Sequence, residues 1–312
     1  MGAPNWFEAN RSRFTGQLMI NEPLSRYTYY RIGGPARILA FPKTREDLAW
    51  IAEGLRATTM PLFVLGAGSN VLVSDQGFDG LVVRAGRLNL ETVALPGDAA
   101  IRAGGSVAIS TLLRRAVLEG WAGLEFLTGV PGSVGGAVVM NAGTHLGEAK
   151  DAVLRVEVVP LEGAEAGQSR IYAGPDQLKF QYRKNLFLPD PCIVWSVDWT
   201  IRREDPTRVK AVIDEVQARR KSTQPVEYPS CGSVFKNPKV YGKNAWQVLD
   251  ALGLRGHQIG GAQISEKHSN FIVNRGGAKA ADVRALIELC KARALSELGI
   301  PLEEEVHYVG TF

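Results

Sequence analysis

The sequence predicts a fold in which helices and strands alternate, of α+β or α/β class. Thr44 opens the pattern Thr-Arg-Glu-Asp, which is typical of a helix N-terminus, and Leu48 and Leu55 follow at helical spacing. Apolar runs over residues 61–66 and 81–85 then predict two buried strands, with a glycine-rich loop between them.

A second unit of the same kind follows. Residues 101–105 predict a strand, and residues 106–119 predict an amphipathic helix. Gly120 stands where glycine commonly ends a helix. Residues 127–143 are apolar but interrupted by glycines and Pro131, so we expect loop and turn there.

The C-terminal third has the same mixed character. Asp205 and Pro206 are typical of a helix start, and we expect a domain boundary near residue 204. The other patterns predict, in order, a hairpin over 160–174, a strand over 193–201, a helix over 246–252, a strand over 271–274, a long helix carrying Val283 to Ala294, and a final strand over 304–310.

Composition narrows the possible functions. The chain has 312 residues, of which 45% are hydrophobic and 22% charged, so it can form two packed domains. Its net charge of +4 suits an anionic small molecule, and no basic stripe with aromatics indicates nucleic acid. No segment is long and apolar enough to predict a membrane span, and three cysteines without a CxxC pair indicate a cytoplasmic protein without a metal site.

Two glycine clusters indicate a bound dinucleotide. Residues 65–75 read LGAGSNVLVSD, and residues 129–143 read GVPGSVGGAVVMNAG. Glycines let backbone N–H groups approach a phosphate without an intervening side chain. Neither cluster continues into the Gly-Lys-Ser/Thr of a Walker A loop, and Gly66-Ala67-Gly68 lacks the third glycine of a Rossmann fingerprint.

Together these segments resemble the UDP-N-acetylenolpyruvoylglucosamine reductases (UDP-N-acetylmuramate dehydrogenases) of bacterial cell-wall synthesis. The resemblance covers nearly the whole chain and is most specific at YPSCGSVFKNP. It is similar to the shorter class, which lacks a tyrosine-loop insertion. The matching segments are RIGGPA (31–36), VLGAGSN (64–70), the second glycine cluster, FQYR (180–183), YPSCGSVFKNP (228–238), HSNFIVN (268–274) and LEEEV (302–306).

The resemblance implies an α+β fold. An FAD-binding module of the p-cresol methylhydroxylase type would cover residues 1–203, with subdomains of about 1–86 and 87–203. A smaller α+β substrate domain would cover residues 204–312, and its C-terminal strand would return toward the flavin. We expect a monomer whose partner is a nucleotide sugar, without nucleic-acid or membrane partners.

The resemblance also implies FAD and NADPH as cofactors. Within the motifs, the residues expected to contact FAD are Gly33, Gly34, Gly66, Ala67, Gly68, Ser69, Asn70, Gly129, Gly132, Ser133, Gly135, Gly136, Asn141 and Gly143.

Three residues are candidates for catalysis of enolpyruvyl reduction. Arg183 has the planar fork that binds a carboxylate, Ser233 would donate a proton to the α-carbon, and Glu305 would lie near the enolate. We interpret Glu303 and Glu304 as solvated charges and Cys231 as structural. Weaker candidates for substrate contacts are Lys236, Asn237, Gln263 and His268.

Two other functions remain open at this stage. One is an FAD oxidase of the same fold, acting on an alcohol or hydroxy acid, although no motif supplies a base for alcohol deprotonation. The other is a non-catalytic protein that binds nucleotide sugars. Reoxidation of the reduced protein by air would distinguish the first, and the absence of a flavin spectrum would favour the second.

Overall fold

A computed structural model describes residues 3–312, with side chains from Trp6 onward. Within that range the helices are α1 (Ala3–Ala9), α2 (Arg45–Thr58), α3 (Ile109–Glu119), α4 (Val134–Val139), α5 (Pro206–Thr223), α6 (Ala245–Ala251) and α7 (Ala280–Leu298).

The strands of the same range are mostly short. In chain order they are β1 (Gln17–Pro23), β2 (Pro35–Phe41), β3 (Leu62–Leu65), β4 (Val71–Val73), β5 (Phe78–Arg84), β6 (Thr92–Ala94), β7 (Ala100–Gly104), β8 (Trp121–Ala122), β9 (Gly143–Thr144), β10 (Gly147–Glu148), β11 (Val153–Pro160), β12 (Arg170–Ala173), β13 (Phe180–Gln181), β14 (Lys184–Asn185), β15 (Cys192–Thr200), β16 (Arg202–Arg203), β17 (Gln258–Ile259), β18 (Ala262–Ile264), β19 (Ile272–Asn274) and β20 (His307–Val309).

Three larger sheets organise these strands. A four-stranded sheet has the order β1-β2-β5-β3, with β3 and β5 parallel. A five-stranded antiparallel sheet has the order β12-β11-β15-β7-β6. A three-stranded antiparallel sheet has the order β17-β18-β19. The predicted mixture of helices and strands is therefore confirmed.

The chain forms two compact units that are not contiguous in sequence. The first unit comprises the chain up to Ile20 together with Ile38–Ala67 and Gly80–Gln217. The second comprises Asn21–Arg37, Gly68–Asp79 and Ala218–Phe312. Two N-terminal segments thus belong to the same unit as the C-terminal third. The functional division at residue 204, with its subdomains, stays a prediction.

The first unit has two apolar cores. One surrounds helix α2, where Trp50 stacks on Phe14 with ring centroids 4.7 Å apart. The predicted capping box is present, because the Thr44 hydroxyl accepts from the Asp47 N–H and the Asp47 carboxylate accepts from the Thr44 N–H. The other core surrounds α3 and contains Trp121 and Trp199.

The second unit packs its helices α6 and α7 around one core. Val248, Leu286 and Ile287 are fully buried there, together with Tyr30 from the N-terminal part of the sequence. Strand β20 pairs in parallel with β4, which places His307 opposite Val71 and Val309 opposite Val73. The last residues of the chain are therefore held by residues 71–73 in one sheet.

Most predicted elements are present, with three differences. Residues 127–143 are not loop alone, because α4 forms there. Ser133 caps this helix and its residues Val134, Ala137 and Val138 are buried, which outweighs the low helix propensity of two glycines. Strand β4 lies within the predicted glycine loop and depends on pairing with a distant segment. Helix α3 begins at Ile109 rather than at residue 106.

Asp75 offers a test of how the second unit is held together. Its carboxylate accepts hydrogen bonds from the N–H groups of Ala280 and Ala281, at 2.8 and 3.0 Å, and so caps α7. We expect Asp75→Ala to lower the free energy of unfolding by about 1 kcal/mol, because two helix N–H groups lose their acceptor. Urea denaturation measures this loss. Asp79→Ala is the control; a loss of equal size there would contradict a capping role for Asp75.

Candidate functional site

The two glycine clusters come together in the first unit. A Cβ placed on Gly66 would lie 3.6 Å from the Ser133 hydroxyl oxygen, and one placed on Gly136 would lie 3.5 Å from it. Ser133 caps α4 by accepting from the Gly136 N–H at 3.3 Å. Gly129 and Gly132 precede this cap with φ values of +76° and +131°, which favour glycine. Gly66 and Ser133, which are 67 residues apart in the sequence, thus form one surface.

Two glycines of this surface, Gly66 and Gly136, have no packing reason within the fold. Two others do: a Cβ on Gly143 would lie 2.2 Å from the Gly147 carbonyl oxygen, and one on Gly135 would lie 3.1 Å from that of Gly105, so packing restricts both positions. At Gly66 and Gly136 a Cβ would make only ordinary contacts with Ser133. These two positions therefore leave a cradle that a side chain would fill, as close approach of FAD requires.

The backbone of α4 limits how a phosphate could be held. The N–H groups of Val134 and Gly135 donate to the carbonyl oxygens of Val107 and Gly105, both at 2.9 Å. These two N–H groups are therefore already hydrogen-bonded within the protein. The predicted FAD contact of Gly135 stays a prediction, although its glycine has a packing reason of its own.

The predicted flavin residues of the second unit are fixed by close packing. Gly33 has a φ of +137°, and a Cβ on Gly34 would lie 2.2 Å from the Asp75 carbonyl oxygen. Gly68 has a φ of +74°, and its Cβ would lie 2.2 Å from the Tyr27 carbonyl oxygen. Glycine is required at these positions by the fold, whether or not FAD contacts them. Ala67, the last residue of the Ile38–Ala67 segment of the first unit, precedes Gly68, and Ser69 follows it.

Asn141 has an internal role. Its fully buried amide donates to Glu148 Oε2 and to the Gln181 carbonyl oxygen, at 3.0 and 2.9 Å, and accepts from the Lys150 N–H at 2.9 Å. It also has a φ of +42°. Its side chain could donate to FAD only by giving up one of these bonds, so its predicted cofactor contact stays a prediction.

Arg183 lies at the tip of a tight hairpin that Asn141 supports. Strands β13 and β14 pair, with Tyr182 and Arg183 as the connecting residues. Arg183 has a φ of +57°, a conformation that costs a non-glycine residue about 1 kcal/mol. Its Nη2 donates to the Gly143 carbonyl oxygen at 3.3 Å. Strain held in place by the surrounding structure is common where a side chain must be positioned for function.

Ser233 and Glu305 come together in the second unit. The Glu305 N–H donates to the carbonyl oxygen of Val234, the residue after Ser233, at 2.7 Å. The carbonyl oxygen of Glu305 in turn accepts from Asn70 Nδ2 at 3.0 Å. Three motifs separated by more than 200 residues between the first and the last therefore meet along one stretch of backbone.

The surroundings of the Ser233 segment keep the thiol of the neighbouring Cys231 protonated. Burial, together with the nearby Glu305 carboxylate, raises the pKa of the Cys231 thiol to about 12. Its buried neighbour Tyr30 also has a pKa well above the usual range because of burial. Cys231 is therefore a thiol rather than a thiolate at neutral pH, in agreement with a structural role.

Sequence reasoning missed the residue that fixes the Ser233 segment. Asn270 accepts the Phe235 N–H and donates to the Phe235 carbonyl oxygen through its side chain, both at 2.9 Å, and its carbonyl oxygen accepts the Val234 N–H. Its position within HSNFIVN was the available signal. Glu304 was also misjudged, because it is mostly buried and pairs with Lys291 at 2.8 Å rather than being solvated.

The four weaker candidates for substrate contacts differ in their surroundings. Lys236 forms an ion pair with Glu303, and Asn237 accepts the Ala245 N–H at the start of α6 at 3.0 Å. Gln263 Nε2 donates to the Gly256 carbonyl oxygen at 3.2 Å. His268 differs from these three, because within residues 3–312 its buried Nδ1 has no hydrogen-bond partner. All four assignments stay predictions.

Comparisons with known proteins cover both units. A family model described as the C-terminal domain of UDP-N-acetylenolpyruvoylglucosamine reductase matches residues 224–309, and one described as an FAD binding domain matches residues 36–165. The UDP-N-acetylenolpyruvoylglucosamine reductase of Heliobacterium modesticaldum is 43% identical over 297 residues, which are 95% of this chain and 92% of that protein. The chain belongs to the UDP-N-acetylenolpyruvoylglucosamine reductase family.

Other members of the family agree. The reductase of Nitrobacter hamburgensis is 36% identical over 295 residues, covering 95% of this chain and 93% of that protein. The crystal structure of the reductase from Thermus caldophilus is 37% identical with a TM-score of 0.77, covering 94% and 98% of the two chains. The α+β class and the FAD-binding module expected from the resemblance are thus confirmed.

A more distant likeness concerns the fold alone. A VAO-type flavoprotein from Myceliophthora thermophila is 13% identical with a TM-score of 0.50, covering 64% of this chain and 46% of that one. Among the helices of residues 3–312, none is both long and apolar enough to cross a membrane. The described residues also contain no group of three or more His, Cys, Asp or Glu side chains suited to a metal ion.

The cradle at Gly136 can be tested directly. We expect Gly136→Ala to weaken FAD binding at least about tenfold, because the new methyl group occupies space that the cofactor needs. The apoprotein should unfold at the same or a higher temperature, since alanine favours a helix by about 1 kcal/mol over glycine. Fluorescence titration of the apoprotein with FAD measures the first effect, and calorimetry the second.

Gly135→Ala is the matched control for this cradle. Its Cβ meets the Gly105 backbone, so it should destabilise the apoprotein itself. Unchanged FAD affinity in a folded Gly136→Ala protein would show that the cofactor does not approach this residue.

Proposed function

We propose that this chain reduces the enolpyruvyl group of UDP-N-acetylglucosamine enolpyruvate to the lactyl ether of UDP-N-acetylmuramate, with Arg183, Ser233 and Glu305 as catalytic residues. The electrons come from NADPH, and the product serves peptidoglycan synthesis. Relatives that match 95% of the chain support the reaction. The observation that carries the assignment of Ser233 and Glu305 is the 2.7 Å hydrogen bond that joins the Ser233 segment to Glu305.

Reduction of an enolpyruvyl ether is a conjugate addition. FAD, when bound, supplies the hydride from its N5 atom. The chain's own residues must hold the cofactor, orient the substrate carboxylate, stabilise the enolate and deliver one proton. The Gly66 and Gly136 cradle fits the first of these tasks, because its glycines have no packing reason of their own.

Arg183 binds the substrate carboxylate in this proposal. A guanidinium presents two parallel N–H donors to a carboxylate and keeps its charge at any physiological pH. The hairpin tip and the bond to Gly143 restrict its side chain before substrate arrives. Less conformational entropy is then lost on binding.

Glu305 and Ser233 act on the reacting carbons. The Glu305 carboxyl group stabilises the enolised carboxylate of the substrate, and the Ser233 hydroxyl donates its proton to the α-carbon. Serine is a weak acid, but an enolate is a strong base, so transfer is favourable when the hydroxyl is positioned and water is excluded. Asn270 and the backbone of Val234 provide that positioning.

We also propose that FAD is bound by residues 1–203 and the nucleotide sugar by residues 204–312. A cytoplasmic monomer is the simplest form of the enzyme. Free thiols at Cys192, Cys231 and Cys290 support a reducing compartment.

The function is tested by anaerobic titration of the FAD-containing protein with NADPH, followed by addition of the enolpyruvyl nucleotide sugar. The flavin absorbance near 450 nm should bleach with NADPH and return with the nucleotide sugar. Return with air at a comparable rate, but not with the nucleotide sugar, would instead identify an oxidase.

Arg183→Lys should reduce turnover at least about a hundredfold while FAD stays bound, because a point charge cannot replace the bidentate fork. Lysine keeps the positive charge and has the same backbone restriction at φ +57°. The comparison therefore tests only the two parallel N–H donors of the guanidinium. Steady-state kinetics and the flavin spectrum measure the two effects. Turnover close to that of the unmodified enzyme would exclude Arg183 from carboxylate binding.

Ser233→Ala should separate the two half-reactions. Reduction by NADPH needs no proton at the substrate, so bleaching should stay near its normal rate. Reoxidation by the enolpyruvyl substrate should slow by roughly 10²–10⁴-fold. Stopped-flow absorbance measures both, with Cys231→Ala as the control that alters the same segment. Normal reoxidation in Ser233→Ala, or equal slowing in both variants, would remove Ser233 from the mechanism.

A further inference from the structure

The chain segment that carries Glu305 has two different faces. The Lys236 N–H donates to the Glu303 carbonyl oxygen at 2.8 Å, and Phe235 lies opposite Glu304 in an antiparallel bridge. Successive side chains of an extended chain point to opposite faces, and directly opposed residues share a face. Phe235 is buried in the core to which α7 contributes, so Glu304 lies on the side of α7 and Glu305 on the other side.

A cation of α7 binds Glu304 on that side. Lys291 Nζ donates to Glu304 Oε1 at 2.8 Å, and only 19% of the Glu304 side chain is exposed. This hydrogen bond raises the pKa of Lys291, so its ammonium group stays charged at neutral pH. The helix therefore holds the Glu304 carboxylate from the face opposite to the Glu305 side chain.

The same row of α7 also contacts the chain beyond Glu305. Arg284 and Lys291 lie about two turns apart on the helix. Glu288 lies between them, 2.6 Å from Arg284 Nη2 and 3.7 Å from Lys291 Nζ. The Arg284 guanidinium lies over the Tyr308 ring, with its Cζ 4.5 Å from the ring centroid. Helix α7 thus holds the chain immediately before Glu305 and again shortly after it.

This network matters more for the position of Glu305 than for the stability of the fold. Surface ion pairs add little to the free energy of unfolding, and 33% of the Lys291 side chain is exposed. The action of a carboxyl group on a substrate is far more sensitive to position, because a displacement of about 1 Å can slow a reaction about a hundredfold. Contacts on both sides of Glu305 restrict such displacements.

We propose that Lys291 is a positioning residue of the enolpyruvyl reduction, which fixes the Glu305 carboxyl group by holding the adjacent Glu304 from the opposite face. In this role Lys291 needs no contact with the substrate or the cofactor. The inference rests on the proposed function, because that function assigns Glu305 to the stabilisation of the enolised carboxylate. Loss of Lys291 should therefore affect the half-reaction in which the enolate forms.

Lys291→Met in the FAD-containing protein tests this role, because methionine keeps an unbranched side chain and removes the charge. Stopped-flow absorbance measures flavin reduction by NADPH and flavin reoxidation by the enolpyruvyl nucleotide sugar separately. We expect reoxidation to slow by about tenfold or more, while the rate of reduction and the melting temperature stay close to those of the unmodified enzyme. Normal reoxidation, or equal slowing of both half-reactions, would overturn the proposal.

Arg293→Met is the matched control. Arg293 lies on the same helix and pairs with Glu297 at 2.5 Å, so this change removes an equal charge and an ion pair without touching Glu304. Both half-reactions should keep their normal rates. Lys291→Arg restores a cation and should recover most of the reoxidation rate. Equal slowing in Arg293→Met and Lys291→Met, or no recovery in Lys291→Arg, would contradict a positioning role.

Double-mutant cycles show whether Lys291 acts through Glu304 and Glu305. Glu304→Gln should slow reoxidation as Lys291→Met does, and the double variant should be no slower than either, because both changes remove the same ion pair. In a Glu305→Gln background, Lys291→Met should add little further slowing. Slowing that multiplies in either cycle would show that Lys291 acts independently, and would overturn the proposal.

Failure of this role is distinguishable from failure of the proposed function. If the enolpyruvyl nucleotide sugar does not reoxidise the reduced, unmodified enzyme, the proposed function fails and the positioning role fails with it. If it reoxidises the unmodified enzyme and Lys291→Met equally fast, the proposed function stands and only the positioning role is overturned.

Discussion

The parallel pairing of the last strand with residues 71–73 is the constraint on which the second unit depends. It brings Glu305 to Asn70, whose amide donates to the Glu305 carbonyl oxygen. The N–H of Glu305 then reaches Val234, and so fixes the backbone next to Ser233. Asn70, Val234 and Glu305, from three segments far apart in the sequence, thereby share one hydrogen-bonded path.

The second unit is assembled from three separate segments of the sequence. Segments 21–37 and 68–79 separate from their sequence neighbours and pack with the last third of the chain. Asp75 caps α7, and Asn274 Nδ2 donates to the Tyr30 carbonyl oxygen at 2.9 Å. These N-terminal segments are thus joined to the last third of the chain by hydrogen bonds and by the apolar core that contains Tyr30, Ile32 and Leu72.

Glycine is needed at different positions of this chain for two different physical reasons. Those at positions 34, 68 and 143 prevent overlap between backbone segments, so the fold needs them without any ligand. Those at positions 66 and 136 leave space that no protein atom uses closely. A glycine-rich motif is therefore not uniformly a binding motif. The surroundings of each glycine distinguish a binding position from a packing position.

The sequence alone determined the local elements and the family. The capping box at Thr44, the helix start at Asp205 and the alternation over residues 193–201 depend on neighbouring residues, and each is present. The motifs also named Arg183, Ser233 and Glu305. Only the tertiary structure decided that β4 exists and that Asn270 supports the Ser233 segment. The physical reason is that strand pairing and side-chain support depend on residues far apart in the chain, which no local pattern contains.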